Sequence, residues 1–183
     1  VSFLINTLNQ IFDNDISFAE ILIIDSSDQS YKNEIKQIAN KYKIKLFETE
    51  PSTSKQRNLG IEKSSKENEY IMFLDDDIIF SGEMFNQMNK TINKNSKDSQ
   101  IVAYGFNQIQ VTKQSLIEKL KSNSILNFLE FYPNKPGKVA MSGWQSKILN
   151  LNKDVFVEWI YTTACIFRLE SIKNHRFDES FGI

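Results

Sequence analysis

The chain has 183 residues, enough for one ordinary domain, and its 40% hydrophobic and 25% charged content fits a folded globular domain rather than a disordered one. Lys+Arg 22 against Asp+Glu 23 leaves a net charge of −1, which supplies no field for a polyanion and argues against nucleic acid as the main partner. A single cysteine, Cys165, excludes an internal disulfide and a Cys-rich zinc site, and a single histidine, His175, excludes His-cluster metal sites and argues against a Ser-His-Asp triad. No apolar run approaches the ~20 residues that span a bilayer, and the opening VSFLINTLNQ carries no basic n-region of a signal peptide.

Phe3, Leu4, Leu8, Ile11 and Phe12 share one face of a predicted first helix. EILII, Glu20 to Ile24, reads as a buried strand that runs into Asp25 and the turn-forming SSDQS. Tyr31, Ile35, Ile38, Ala39 and Tyr42 recur at helical spacing, and KIKLFE (Lys43 to Glu48) alternates as a strand. Pro51 breaks that strand, and a helix from Ser52 to Lys66 follows, with Ser or Thr at its cap. YIMFL, Tyr70 to Leu74, is the next buried strand and leads directly into Asp75-Asp76-Asp77. A helix from Ser81 to Asn93 and a strand from Ile101 to Phe106 complete the alternation.

Short continuous apolar strands alternating with helices predict an α/β domain with a largely parallel sheet. After Gln110 the rhythm changes: Leu116, Ile117, Leu120 and ILNFLEF suggest a helical insertion, Tyr132 to Gly137 a loop, and Val139 to Arg168 strands of mixed direction. The first element is a helix where such a sheet normally opens on a strand, and FDESFGI closes abruptly, so a fragment trimmed at both ends is expected.

Asp75, Asp76 and Asp77 follow a strand at its carboxyl end, where open α/β sheets bind ligands. In extended geometry Asp75 and Asp77 project to one side, a pair suited to Mg²⁺ or Mn²⁺ that shares substrate phosphate oxygens. The competing reading is a turn and a helix N-terminus that favour acidic residues. Asp25 either accepts hydrogen bonds from a nucleobase or ribose or simply opens an Asx turn. Lys55, Gln56, Arg57, Asn58 and Gly60 open a helix, and Arg57 suits bidentate contact with a diphosphate or a plain solvated helix start.

Taken in order, IIDSSD, KQRNLGI and YIMFLDDD resemble the motifs of the family 2 glycosyltransferases, which have a GT-A fold. The resemblance implies a Rossmann-like, mostly parallel sheet flanked by helices, with a mixed-direction C-terminal part. Residue by residue it implies that Asp25 contacts the nucleotide, that Arg57 and Asn58 lie near the donor, and that Asp75 and Asp77 form the metal motif with Asp75 also at the donor. VEWIYTTACIFR and RFDESF look like the acceptor-side region, with Trp159, Thr163 and Ala164 as its candidates.

One partial GT-A domain over residues 1–183 is therefore expected, with a nucleotide-sugar-binding part over 1–106 and an acceptor-side part over 107–183. The implied enzyme moves a sugar from a nucleoside-diphosphate sugar to a hydroxyl of a glycan, lipid-linked or protein acceptor. Inversion, a Mn²⁺ or Mg²⁺ cofactor and a place in surface glycan or polysaccharide synthesis are implied with it. So is a cytoplasmic location, extending to peripheral association with the inner membrane face.

Three departures stand out. The family's first strand would lie upstream of Val1, Thr163-Ala164 replaces a small pair that usually contains Gly, and the family's acidic general base would lie beyond Ile183. Asp178 and Glu179 belong to the motif before that base and are not assigned its role. Trp159 and Trp144 suit either stacking on a sugar ring or core packing; Glu158 reads as a surface charge, with reach to an acceptor hydroxyl as the alternative, His175 as an exposed turn residue and Cys165 as a small core residue. The rival functions are a nucleotidyltransferase, which lacks its Gly-rich phosphate loop here, and a non-catalytic carbohydrate-binding domain.

Overall fold

The computed structural model describes residues 1–14, 16–107 and 135–181. The expected alternation is present as α1 (Ser2–Asp13), β1 (Leu22–Asp25), α2 (Lys32–Tyr42), β2 (Lys45–Glu48), α3 (Thr53–Lys63), β3 (Tyr70–Leu74), α4 (Gly82–Lys94) and β4 (Ala103–Gly105). β5 (Ala164–Arg168), a short α5 (Leu169–Ile172) and a 3₁₀ turn at Glu179–Phe181 follow later in the chain. β1 starts later than the EILII run and takes in Asp25, whose carbonyl accepts a hydrogen bond from Thr49 N at 2.9 Å. Ser52 caps α3 from an extended backbone, its side chain accepting from Lys55 N at 3.3 Å, a contact of the kind that contributes about 1 kcal/mol.

Pairing is parallel first and antiparallel later. β1 and β2 run parallel from Leu22↔Lys45 to Asp25↔Glu48. β3 and β5 run antiparallel from Tyr70↔Arg168 to Leu74↔Ala164, in a three-stranded sheet of order β3-β5-β4. The two ladders are separate sheets, and α3 lies over both: a Cβ added at Gly60 would sit 3.8 Å from Ile24 of β1 and 3.9 Å from Phe73 of β3. Ile23, Phe73, Ile166 and the fully buried Cys165 belong to the core.

The chain divides into two compact units, Val1–Tyr104 with Thr163–Ile183, and Gly105–Thr162. The change of rhythm expected after Gln110 falls within the span of the second unit, and β5 returns to the first because its partner in the ladder is β3.

Two expectations need correction. The inward face of α1 is Thr7, Leu8 and Ile11, while Phe3 is 60% exposed and Phe12 47% exposed, with Phe12 stacked on Tyr42 at 5.1 Å. The helix is turned because Thr7 and Gln10 bond the segment after β3, which apolar periodicity does not register. Between Val139 and Thr163 the described residues show one isolated bridge, Val139↔Gln145, in place of several strands. Gly143 and Asn150 take positive φ there, at 80° and 52°, and Gly137 does so just before it, at 70°, so the chain turns too often to extend.

Within the second unit, Asn107 pairs both amide groups with Leu151, at 2.7 and 3.0 Å. Glu158 accepts from Lys138 Nζ and from Val139 N. The helical insertion expected around Leu116–Phe131 lies outside the described residues, as does part of the Tyr132–Gly137 loop. Among the described residues no helix is long and apolar enough to cross a membrane.

Candidate functional site

Asp25 ends β1 and is only 7% exposed. Its Oδ1 accepts from Ser27 N at 2.9 Å, the Asx geometry its sequence context suggested. Its Oδ2 is buried with no hydrogen-bond partner among the described residues. A buried carboxylate oxygen left unsatisfied is costly, and such atoms in folded proteins call for a specific explanation.

Asp75 follows β3 and is half-buried, with its amide donating to Thr163 O at 2.8 Å. Arg57 Nη2 stands 3.6 Å from Asp75 Oδ1, and the Arg57 side chain is only 13% exposed. Burial pushes the Asp75 carboxyl up; Arg57 opposes that, and the charges of Asp77 and Asp76 add to it. The chain does not stay extended through the triplet. It turns at Asp76 and Asp77, both exposed, so the alternation expected to align Asp75 with Asp77 ends at β3.

That turn is held from α1. Thr7 Oγ1 donates to Asp76 O at 2.7 Å, Gln10 Nε2 donates to Ile78 O at 3.3 Å, and Phe80 N donates to Gln10 Oε1 at 2.9 Å. Neither residue was singled out by sequence. The available signal was their i, i+3 spacing on the face that also carries Leu8 and Ile11.

Three consecutive residues of α3 reach three different segments. Gln56 Nε2 donates to Ile24 O of β1 at 3.0 Å, Arg57 faces Asp75, and Asn58 grips the segment before the 3₁₀ turn. Asn58 Nδ2 donates to Phe177 O at 2.9 Å and to Glu179 Oε1 at 2.8 Å, while Phe177 N donates to Asn58 Oδ1 at 2.9 Å. The Phe177 ring lies 5.6 Å from the Arg57 guanidinium and 5.6 Å from the Phe73 ring. An open groove of about 530 Å³ beside this cluster is lined by Lys55, Asn58, Arg176, Phe177 and Glu179, among others.

The expected residues Asp75, Arg57, Asn58, Thr163 and Ala164 are therefore neighbours in the first unit, with Ala164 paired to Leu74 in the ladder. Asp25 belongs to the same unit and is tied to the same helix through Ile24 and Gln56. Asp77 lies at the exposed turn. Trp159 belongs to the second unit, where it meets Tyr161 edge-on at 4.7 Å and its Nε1 is buried without a hydrogen-bond partner among the described residues; Trp144 of that unit is half exposed. Cys165 lies opposite Phe73 in the ladder, and burial pushes its thiol up to about 12, which removes it as a nucleophile. His175 is exposed, its Nδ1 2.9 Å from Ser171 O.

A second, larger groove of about 700 Å³ lies at the other end of β3, and its lining mixes Lys66, Arg168 and Lys173 with Glu62, Glu69 and Glu170. Its mixed charge and its distance in the fold from the carboxyl ends of the strands set it apart from the acidic site.

The sequence model of the family described as Glycosyl transferase family 2 matches residues 1–150, so the matched span takes in Asp25, Arg57, Asn58, Asp75 and Asp77 and stops short of Trp159, Thr163 and Ala164. No curated protein and no solved structure matches the chain. With most of its length matched, the chain belongs to glycosyl transferase family 2, enzymes of GT-A fold that transfer a sugar from a nucleotide-sugar donor.

Proposed function

We propose that the carboxyl ends of β1 and β3 bind a nucleoside-diphosphate sugar, with Asp25 at the nucleotide and Arg57 with Asp75 at the diphosphate. The observation that carries this reading is the buried, unsatisfied Oδ2 of Asp25, an acceptor awaiting a donor such as a ribose hydroxyl or a base N–H. Arg57, held by Asp75 and by the Phe177 ring, is a fixed cation able to meet charge that builds on the leaving diphosphate.

The acidic triplet fits a hard divalent cation in chemistry, since its donors are all carboxylate oxygens, and burial, with the charges of Asp77 and Asp76 added, raises the Asp75 carboxyl. Among the described residues no group of three or more His, Cys, Asp or Glu side chains is gathered so as to hold a metal ion. Asp77 and Asp75 would accordingly hold Mn²⁺ or Mg²⁺ only in part, the remaining ligands being donor phosphate oxygens and water. Such an ion supplies charge neutralisation on the diphosphate.

Sugar transfer to an acceptor hydroxyl with inversion, in surface glycan or polysaccharide synthesis at the cytoplasmic membrane face, extends the family's chemistry to this chain. Asn58 near the donor, and Thr163 and Ala164 toward the acceptor, complete the reading. Thr163 and Ala164 adjoin Asp75 through the backbone, which supports their placement beside the donor.

Calorimetric titration of the protein with uridine and guanosine diphosphates, with and without Mn²⁺, tests the binding reading. Cation-dependent binding that Asp25→Ala weakens is expected; binding indifferent to both would refute it. A transfer assay over a panel of nucleotide sugars then identifies the donor.

A further inference from the structure

Asn58 is a polar residue in the interior of a helix and is only 7% exposed, a placement that costs free energy unless its amide is fully used. It is fully used. Both amide hydrogens are engaged, one by Phe177 O and one by Glu179 Oε1, and the amide oxygen takes Phe177 N. The Asn58 backbone carbonyl also accepts from Arg176 Nη1 at 2.8 Å. With no amide hydrogen left for a ligand, Asn58 grips Phe177 by the backbone on both sides, as a neighbouring strand would.

The residue so gripped is the one that touches Arg57. The Phe177 ring is wedged between the Arg57 guanidinium and Phe73, two residues before Asp75, and meets the Phe73 ring nearly perpendicular at 86°. Arg57 and Asn58 are adjacent in α3 and project from the helix in different directions, so one grips the segment while the other rests against its ring. A long guanidinium side chain needs such a wall, because every rotamer it can visit away from Asp75 weakens its aim.

We propose that Asn58 is a positioning residue: by fixing Phe177 through its backbone, it sets the ring that holds Arg57 at the Asp75 end of β3. This deepens the donor-binding reading above and rests on it, since Arg57 matters to the reaction only if the diphosphate binds there.

The test has one arm independent of any ligand. In the proton NMR spectrum of the protein, the Phe177 ring current is expected to displace the Arg57 side-chain resonances, and Phe177→Leu serves to assign that displacement. Asn58→Asp keeps the shape but cannot donate to Phe177 O or Glu179, and it is expected to remove most of the displacement. A displacement that survives intact in Asn58→Asp overturns the proposal.

The second arm is calorimetry with uridine and guanosine diphosphates and Mn²⁺. Asn58→Asp and Phe177→Leu are each expected to weaken binding about tenfold, with the double variant no worse than either alone. Losses that multiply would show that Asn58 acts on the ligand by a separate route and would overturn the proposal.

Phe177→Tyr, which keeps the ring, is expected to bind as the wild type does. Should Asn58→Asp fail to fold, the contrast between Phe177→Leu and Phe177→Tyr decides the matter, because both leave the backbone bonds to Asn58 in place; equal affinity in the two overturns the proposal. If the wild type binds neither diphosphate, the donor-binding reading falls, while the ring-current arm still decides whether Asn58 sets Arg57.

Discussion

Asp25 and Asp75 occupy the same kind of position, each at the carboxyl end of a buried strand, yet the fold treats them in opposite ways. Asp25 is almost wholly buried, its neighbour Ser27 satisfies one oxygen, and the other oxygen has no partner among the described residues. Asp75 is half-buried, faces Arg57, and precedes a turn tied down from α1. On the proposed reading, an acid with an unused acceptor receives a neutral donor group from a ligand. An acid beside an arginine, crowded by two further acids, is set to manage charge. Position at a strand end makes both candidates, and the proposal divides the labour between them by their surroundings.

The largest expected effect breaks the charged end. Arg57→Ala should lower sugar transfer by about 10²-fold, since a fixed charge aimed at a developing anion contributes on that scale. Steady-state kinetics with the identified donor checks this, and the fall should appear mainly in kcat.

Asp25→Ala sharpens the contrast. Loss of a hydrogen bond to a charged group should weaken nucleoside-diphosphate affinity about tenfold. The melting temperature should fall little, because one of its two oxygens stabilises nothing in the free protein. Calorimetry and thermal unfolding on the same variant read both quantities.

Gln10→Leu reaches the acidic end indirectly, leaving Ile78 O and Phe80 N without their partner. A destabilisation of about 1–3 kcal/mol is expected by chemical denaturation. Transfer rate should suffer more than the nucleotide affinity that depends on Asp25.

The smallest effect lies beside Asp25 in the parallel ladder. Glu48 is held below the usual carboxylate range by hydrogen bonds from Lys32 and Lys36. A carboxyl lowered in the folded state adds stability above its unfolded value, and that stability is lost as pH falls through the folded one. Glu48→Gln should therefore flatten the acid side of a melting-temperature profile, by little, because the pair is exposed to solvent.

How much of this was legible in the sequence differs between the two ends. The strand endings were plain, because IIDSSD and YIMFLDDD set an apolar run directly against acid, and β3 spans the YIMFL run. The expected alternation of Asp75 with Asp77 was not realised, because it assumed a strand that continues where the chain turns at Asp76. The partners of that turn, Thr7 and Gln10, are nearly seventy residues distant in the chain, and two polar side chains on an amphipathic helix carry no mark of what they bind. Asn58 was visible as part of KQRNLGI, yet its grip on Phe177 joins residues 119 apart and needed the fold to appear. Apolar periodicity misread α1 for the same reason: it counts Phe3 and Phe12 as inward and ignores the polar residues that turn the helix.

The single cysteine has a practical consequence. Cys165 is 0% exposed, faces Phe73 across the antiparallel ladder, and has a thiol raised to about 12. Thiol reagents attack the thiolate and need to reach it, so the folded protein presents them with a blank surface. A cysteine introduced at an exposed position, such as Ile79, becomes a unique attachment point for a fluorophore or spin label without any prior removal of the native one. In the unaltered chain the rate of labelling becomes a clock for the parting of β3 and β5, and its slowing on addition of a nucleoside diphosphate would report how strongly the bound molecule holds those strands closed.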